Sequence, residues 1–418
     1  EVGNTNFHYY QMVLGYLLGY FVIGAVLMPL YYRLKLVTIY SYLHQRLGIS
    51  SYKTGSAFFL ISRVIGASFR LFLVATVLQI AFFDNYGVPF FVTVVVTLLL
   101  IWLYTYRAGI KTVVYTDTLQ TFFMLTSIII SAIIIMNSLD LSFGETVTAI
   151  REHPYSKVFN WDWRSGQNFF KQFMAGAFIS IVMTGLDQDM MQKNLTCRNI
   201  KEAQKNMFWF TLVLLPFNLL FMSLGVLLYI YAQKNGIPIP ERSDDLFPLL
   251  AMNHFGVFAG IVFLLGIVAA AFSSADSAIT SLTTSFCVDF LHIDINKDTP
   301  KARRTKRHVH WMFTFLIFLV ILVFNAINDR SVLSALFKAA GYTYGPILGL
   351  FAFSLMTRYK VRDKWVPLVA VASPIISWFI NINSANWFNG YQFGYDLLVV
   401  NGALMFLGLW FLAVNKEK

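Results

Sequence analysis

Charge is scarce in this sequence: 13% of its 418 residues are Asp, Glu, Lys or Arg, where a soluble domain uses about a quarter. That shortage, beside 57% hydrophobic side chains, excludes an ordinary soluble globular protein. Cysteine is nearly absent. The two present, Cys197 and Cys287, provide no disulfide framework and fall where a reducing compartment is expected. Histidine occurs at 8, 44, 153, 254, 292, 308 and 310 without an HExxH or similar ligand spacing, which argues against a metal-dependent intramembrane enzyme. No ten-residue alternating segments are present, so a membrane β-barrel is excluded. Low-complexity tracts and obvious linear repeats are missing, and no polar stretch is long enough for a separate soluble domain. The opening EVGNTNFHYY lacks the basic, then apolar, then small-residue pattern of a signal peptide.

What the sequence has in abundance is apolar runs. Eleven are long enough to cross a bilayer, at about 9–32, 56–83, 88–106, 112–137, 167–190, 205–233, 253–286, 308–327, 332–356, 364–383 and 394–414. The expected class is an all-α membrane protein, a polytopic helical bundle forming one domain over 1–418. The formal charge of +11 follows from topology, because the basic residues gather in alternate loops, most densely in KDTPKARRTKRH and TRYKVRDK. The positive-inside rule then puts the N-terminus outside and the C-terminus in the cytoplasm. Nucleic acid is not an expected partner.

Five ionisable residues lie well inside apolar runs: Arg63, Arg70, Asp117, Asp276 and Lys338. A charge at a membrane helix centre costs about 2.5–3.5 kcal/mol on insertion scales, so each is a functional candidate. Asp276 stands in GIVAAAFSSADSAITSLTTSF, where Ala270, Ser273, Ser274, Ser277 and Ser281 share one helical face. Close packing of small residues accounts for the serines but leaves the aspartate unexplained. Hydroxyl, carbonyl and carboxylate oxygens suit a hard cation. Asp117, about 9 Å beyond Lys111 along the helix, reads equally as a helix-end acid paired with Lys111 or Arg107. The polar run TGLDQDMMQKNLTCRNIKEAQKN reads as an amphipathic connector that carries no chemistry by itself.

Taken together, YTDTLQ at 115–120, GLDQDMMQKNLTCRNIKEAQK, AAAFSSADSA, GYTYGPILGLFAFSL and LVTIYSYLHQRLG resemble the ordered motifs of the sodium/solute symporter family. The resemblance implies a LeuT-type inverted-repeat fold and sodium-coupled symport of a small solute by alternating access in a cell membrane, in a bacterium the inner one. It also implies that 9–32 is the second core helix, with the first outside this chain. Residue by residue, it puts the common sodium site on Ala270, Ser273 and Ser274, and a second on Asp117, Asp276 and Ser277. Arg63 matches the arginine that holds the substrate carboxylate in sialic-acid members. Lys338 matches a pocket glutamine of sugar members and Ser180 a pocket asparagine, while the acid that sugar members carry on the second core helix falls on Val13. An organic anion, a carboxylate or sialic acid, is therefore the expected solute, with Arg63 and Lys338 at one cavity. Pairing of both cations with Asp117 or Asp276 is the competing reading. Proton coupling of a neutral solute, through two close carboxylates, and a transporter-like sensor remain the alternatives.

Overall fold

A computed structural model describes residues 2–34, 38–105, 110–293, 299–327 and 331–414, without the side chains at 104–105, 110–116, 192, 271–272 and 276. The helices follow the apolar runs: α1 (Val2–Leu34), α2 (Ile49–Tyr86), α3 (Phe90–Thr105), α4 (Ile110–Ser138), α5 (Phe169–Gly185), α6 (Ile200–Lys234), α7 (Val257–Phe290), α8 (Pro300–Ile327), α9 (Val332–Thr343), α10 (Gly345–Met356), α11 (Val366–Trp387) and α12 (Leu397–Phe411). α1, α2, α4, α6, α7, α8 and α11 each contain a stretch long and apolar enough to cross a membrane. α9 and α10 make one span bent by 47°, and α3, α5 and α12 are shorter apolar helices. Each of the eleven expected runs thus corresponds to an apolar helix among the described residues, the ninth broken into two.

Lipid is as apolar as leucine, so helices in a bilayer associate by close packing and interhelical hydrogen bonds. α1 lies against α5 with backbones nearly touching: a Cβ on Gly15 would collide with the Phe173 carbonyl. Farther along α1, Pro29 has no N–H to donate. The preceding turn widens to a π-turn over Ile23–Leu27, and the Gly24 carbonyl receives the Gln204 side chain from α6 at 2.7 Å instead.

The bend between α9 and α10 has a similar cause. Gly345-Pro346 starts α10, so the last carbonyls of α9 lose their ladder donors. Asn401 of α12, fully buried, replaces them, its Nδ2 donating to the Gly341 carbonyl at 3.0 Å and the Tyr342 carbonyl at 2.9 Å. Any side chain at 345 would strike Asn401.

The basic loops lie at one end of the bundle, called here the basic end. There Asp363 caps α2, accepting from Ser50 N at 2.7 Å, Ser51 N at 2.8 Å and Ser51 Oγ at 2.6 Å, while Lys360–Val361 pairs with Ala413–Val414. At the opposite end the long loops are partly folded. Ser142 and Glu145 form a reciprocal cap on the helix Phe143–Glu152, and Lys171 Nζ donates to the Gln392 carbonyl at 2.8 Å over the Tyr391 ring.

Candidate cation and solute site

α7 packs against both α4 and α2, and its small-residue face meets α4 and the connector after α5. Ser273 and Ser277 are buried at 7% and 8% exposure. Each donates to a carboxylate from a different element. Ser273 Oγ bonds Asp117 Oδ1 of α4, and Ser277 Oγ bonds an Asp189 oxygen at 3.1 Å. The rungs are one turn apart, about 6 Å along the helix. Ala270 and Ser274 are half-buried on the same helix. The side chain of Asp276 lies outside the described residues. The two expected cation groups therefore meet at Ser273, which belongs to one and bonds Asp117 of the other.

Asp189 comes from the connector after α5, which the sequence reading treats as free of chemistry. The structure corrects that. The chain leaves α5 at Gly185, and Asp187 caps the short helix Gln188–Asn194, its Oδ1 accepting from Asp189 N at 3.0 Å and Met190 N at 3.2 Å. Tyrosines pin the turn: Tyr31 donates to the Gly185 carbonyl at 2.9 Å and Tyr40 to the Leu186 carbonyl at 2.6 Å. Asp187 Oδ2 accepts from Tyr344 at 3.0 Å, at the α9/α10 bend.

Arg63 of α2 lies between these acids. Its Nη2 donates to Asp189 Oδ2, the oxygen that also accepts from Ser277, and its Nη1 is 3.8 Å from Asp187 Oδ2. All three side chains are buried: Arg63 is 4%, Asp187 0% and Asp189 5% exposed. Isolated buried ions cost several kcal/mol each, so this arrangement depends on the charges facing one another and on the hydrogen bonds that both Asp187 oxygens accept. The partner acids of Arg63 are thus Asp187 and Asp189, where the sequence suggests Asp117 or Asp276. Arg63 Nε has no hydrogen-bond partner among the described residues.

Arg63 and Lys338 do not converge. Arg63 borders a small cavity with Arg70, Thr343 and Tyr344. Lys338 is exposed and lines a cavity of about 970 Å³ toward the end opposite the basic one, together with Gln172, Ser334, Asn381, Glu241 and Arg242. Ser180 is buried, donates to the Ala177 carbonyl of its own helix at 2.9 Å and faces Gly19 of α1.

Sequence reasoning also missed Asp289. It is fully buried at the basic end of α7 and accepts from Thr38 at 3.1 Å, Tyr52 at 2.6 Å and Ser285 at 2.6 Å, while Lys53 Nζ bonds its backbone carbonyl. The available signal was an acid inside CVDFLH, at the end of an apolar run.

The α7 hydroxyls, their two carboxylates and an arginine paired with acids thus lie together inside a helical bundle. The sequence profile of the Sodium:solute symporter family matches residues 5–362. The chain belongs to that family. Among relatives, the sodium/sialic acid symporter SiaT of Proteus mirabilis is 22% identical over 342 residues, 79% of this chain and 67% of that protein. A putative sodium-dependent multivitamin transporter of Drosophila melanogaster is 24% identical over 382 residues, 87% of this chain and 62% of that protein. A solved Na+-coupled sialic acid symporter, substrate-bound and outward-open, superposes with a TM-score of 0.77 at 19% identity, covering 96% of this chain and 82% of that one. This symporter-family chain therefore shares their membrane fold, with sodium as the coupled ion.

Proposed function

We propose that this chain is a single transmembrane domain that imports a small organic anion, a carboxylate or sialic acid, driven by sodium through alternating access. The observation that carries the reading is the pair of buried serines on α7, each bonded to a carboxylate. Their hydroxyl protons point to the acids, which turns oxygen lone pairs toward the remaining space, and such oxygens suit a hard monovalent cation. The cation group comprises Ala270, Ser273, Ser274, Asp117, Asp276 and Ser277. Moving one charge through 100 mV supplies about 2.3 kcal/mol, close to a fiftyfold solute gradient. The wide cavity at the end opposite the basic loops supports an outward-facing vestibule, with the basic end and C-terminus cytoplasmic and the N-terminus outside. Lys338, exposed in that vestibule, attracts the anion. Arg63 engages it deeper, exchanging a protein carboxylate for the solute's, since its terminal nitrogens already face Asp187 and Asp189. Ser180 supports the wall rather than the ligand. Transport, not catalysis, is the activity this arrangement serves.

The test is uptake by proteoliposomes under an inward sodium gradient, with labelled sialic acid, short monocarboxylates and neutral hexoses compared. Sodium-driven uptake of an acid, with an affinity lowered about tenfold in Lys338→Gln, is expected. Uptake of neutral hexose alone, or uptake that follows a pH gradient and ignores sodium, overturns the reading.

A further inference from the structure

We infer that Asp189 couples the cation site to the solute arginine, as a positioning residue that Ser277 and Arg63 share. One oxygen, Asp189 Oδ2, accepts both from Arg63 Nη2 and from Ser277 Oγ. The two donors come from helices far apart in sequence, α2 and α7, and the acid comes from neither. Asp189 is buried, and its position is set by the cap of Asp187 on its own N–H. It therefore cannot leave one donor for water without cost.

A shared acceptor makes its two partners interdependent. While Arg63 holds Asp189 strongly, the negative charge available to Ser277 and to a cation beside it is reduced. When a solute carboxylate takes over part of the arginine, Asp189 turns its charge to Ser277. The serine proton is then held more firmly, the hydroxyl oxygen becomes a better ligand, and a sodium ion beside it is bound more tightly. Reciprocity requires that sodium raise solute affinity by the same factor. The inference rests on the reading of the α7 serines as a cation site, and extends it to how the two ligands sense each other. Tyr344 adds a mechanical arm: through Asp187 the same arginine is tied to the α9/α10 bend, which borders the Arg63 cavity.

The experiment uses sodium alone as the probe, so no solute need be known. Sodium titrations of the purified full chain in detergent, followed by thermal shift, are compared for the parent, Ser277→Ala, Asp189→Asn, Arg63→Gln and the double variant Arg63→Gln/Asp189→Asn. Asp189→Asn is expected to weaken sodium binding about tenfold, the low end for a hydrogen bond to a charged group. Arg63→Gln is expected to tighten it about three- to fivefold, on the order of 0.7–1 kcal/mol converted at about 1.4 kcal/mol per tenfold. In the Asp189→Asn background the arginine change should move the sodium curve by less than about twofold. Independent, multiplicative effects of the two changes overturn the coupling. An unchanged sodium curve in Ser277→Ala overturns the cation-site reading beneath it, so the two failures are told apart. Should Asp189→Asn not fold, Asp189→Glu serves in its place: it keeps the charge and moves it by one methylene, and a preserved response to Arg63→Gln at the parental magnitude counts against the shared-oxygen geometry.

Discussion

Ser273 of α7 donates to Asp117 of α4 across a helix interface. One hydroxyl thus belongs to the set expected for one cation while bonding the carboxylate expected for another, so the two groups share an edge.

Sharing has a kinetic consequence. Asp117→Ala is expected to lower apparent sodium affinity about tenfold, and Ser273→Ala in that background should add little, because the hydroxyl has already lost its acceptor. Sodium activation curves of driven uptake check this. Losses that multiply would separate the two residues.

Asn401 predicts a stability effect. Asn401→Ala removes the donor to the Gly341 and Tyr342 carbonyls, and leaving buried acceptors unsatisfied costs about 1–3 kcal/mol. A lower melting temperature in detergent is expected, together with a reduced maximal uptake rate. A variant as stable as its parent would show that the bend holds itself.

Asp363 lies far from the α7 ladder and serves as its contrast. Asp363→Ala deletes the cap on α2 and should cost about 1–2 kcal/mol without moving the sodium curve. Thermal melts and sodium titration, run on one preparation, read both halves of that expectation.

The loop that carries His153 should respond to acid. Partial burial lowers the His153 pKa from its ordinary value, and His153 Nδ1 accepts from Tyr155 N at 3.2 Å, a bond that protonation removes. For a histidine with a depressed folded pKa, the contribution is present above the unfolded value of about 6.5 and is lost as pH falls through the folded one. Amide exchange over 143–156, corrected for intrinsic rate, should be faster at about pH 5 than at about pH 7. His153→Gln should flatten the difference.

The spans were legible because each is a long apolar run, and the α7 serine face because three-and-four spacing puts it on one side of a helix. The partners of that face were not. Asp189 lies at the edge of an apolar run, two residues from Asp187, and there an acid reads as a solvated helix end. Nothing local says that the chain turns back beneath Arg63, which is 126 residues away. The same limit produced the expected meeting of Arg63 and Lys338, since a register shared with relatives fixes position along a helix but not which cavity a long side chain enters. The break after Tyr344 had its signal in GYTYGP, and the residue that stabilises it, Asn401, sits in an otherwise apolar helix where a lone asparagine says little by itself.

Asp363 caps a helix that begins more than three hundred residues earlier, and Asn401 closes a bend some sixty residues before it. A membrane chain is inserted from its N-terminal side as synthesis proceeds, so α2 is in place with a ragged end, and α9 and α10 with loose carbonyls, until α11 and α12 arrive. During this interval the nascent protein is expected to be open to quality-control proteases. Substitutions of Asp363 or Asn401 should deplete the protein from the membrane even though neither touches a ligand.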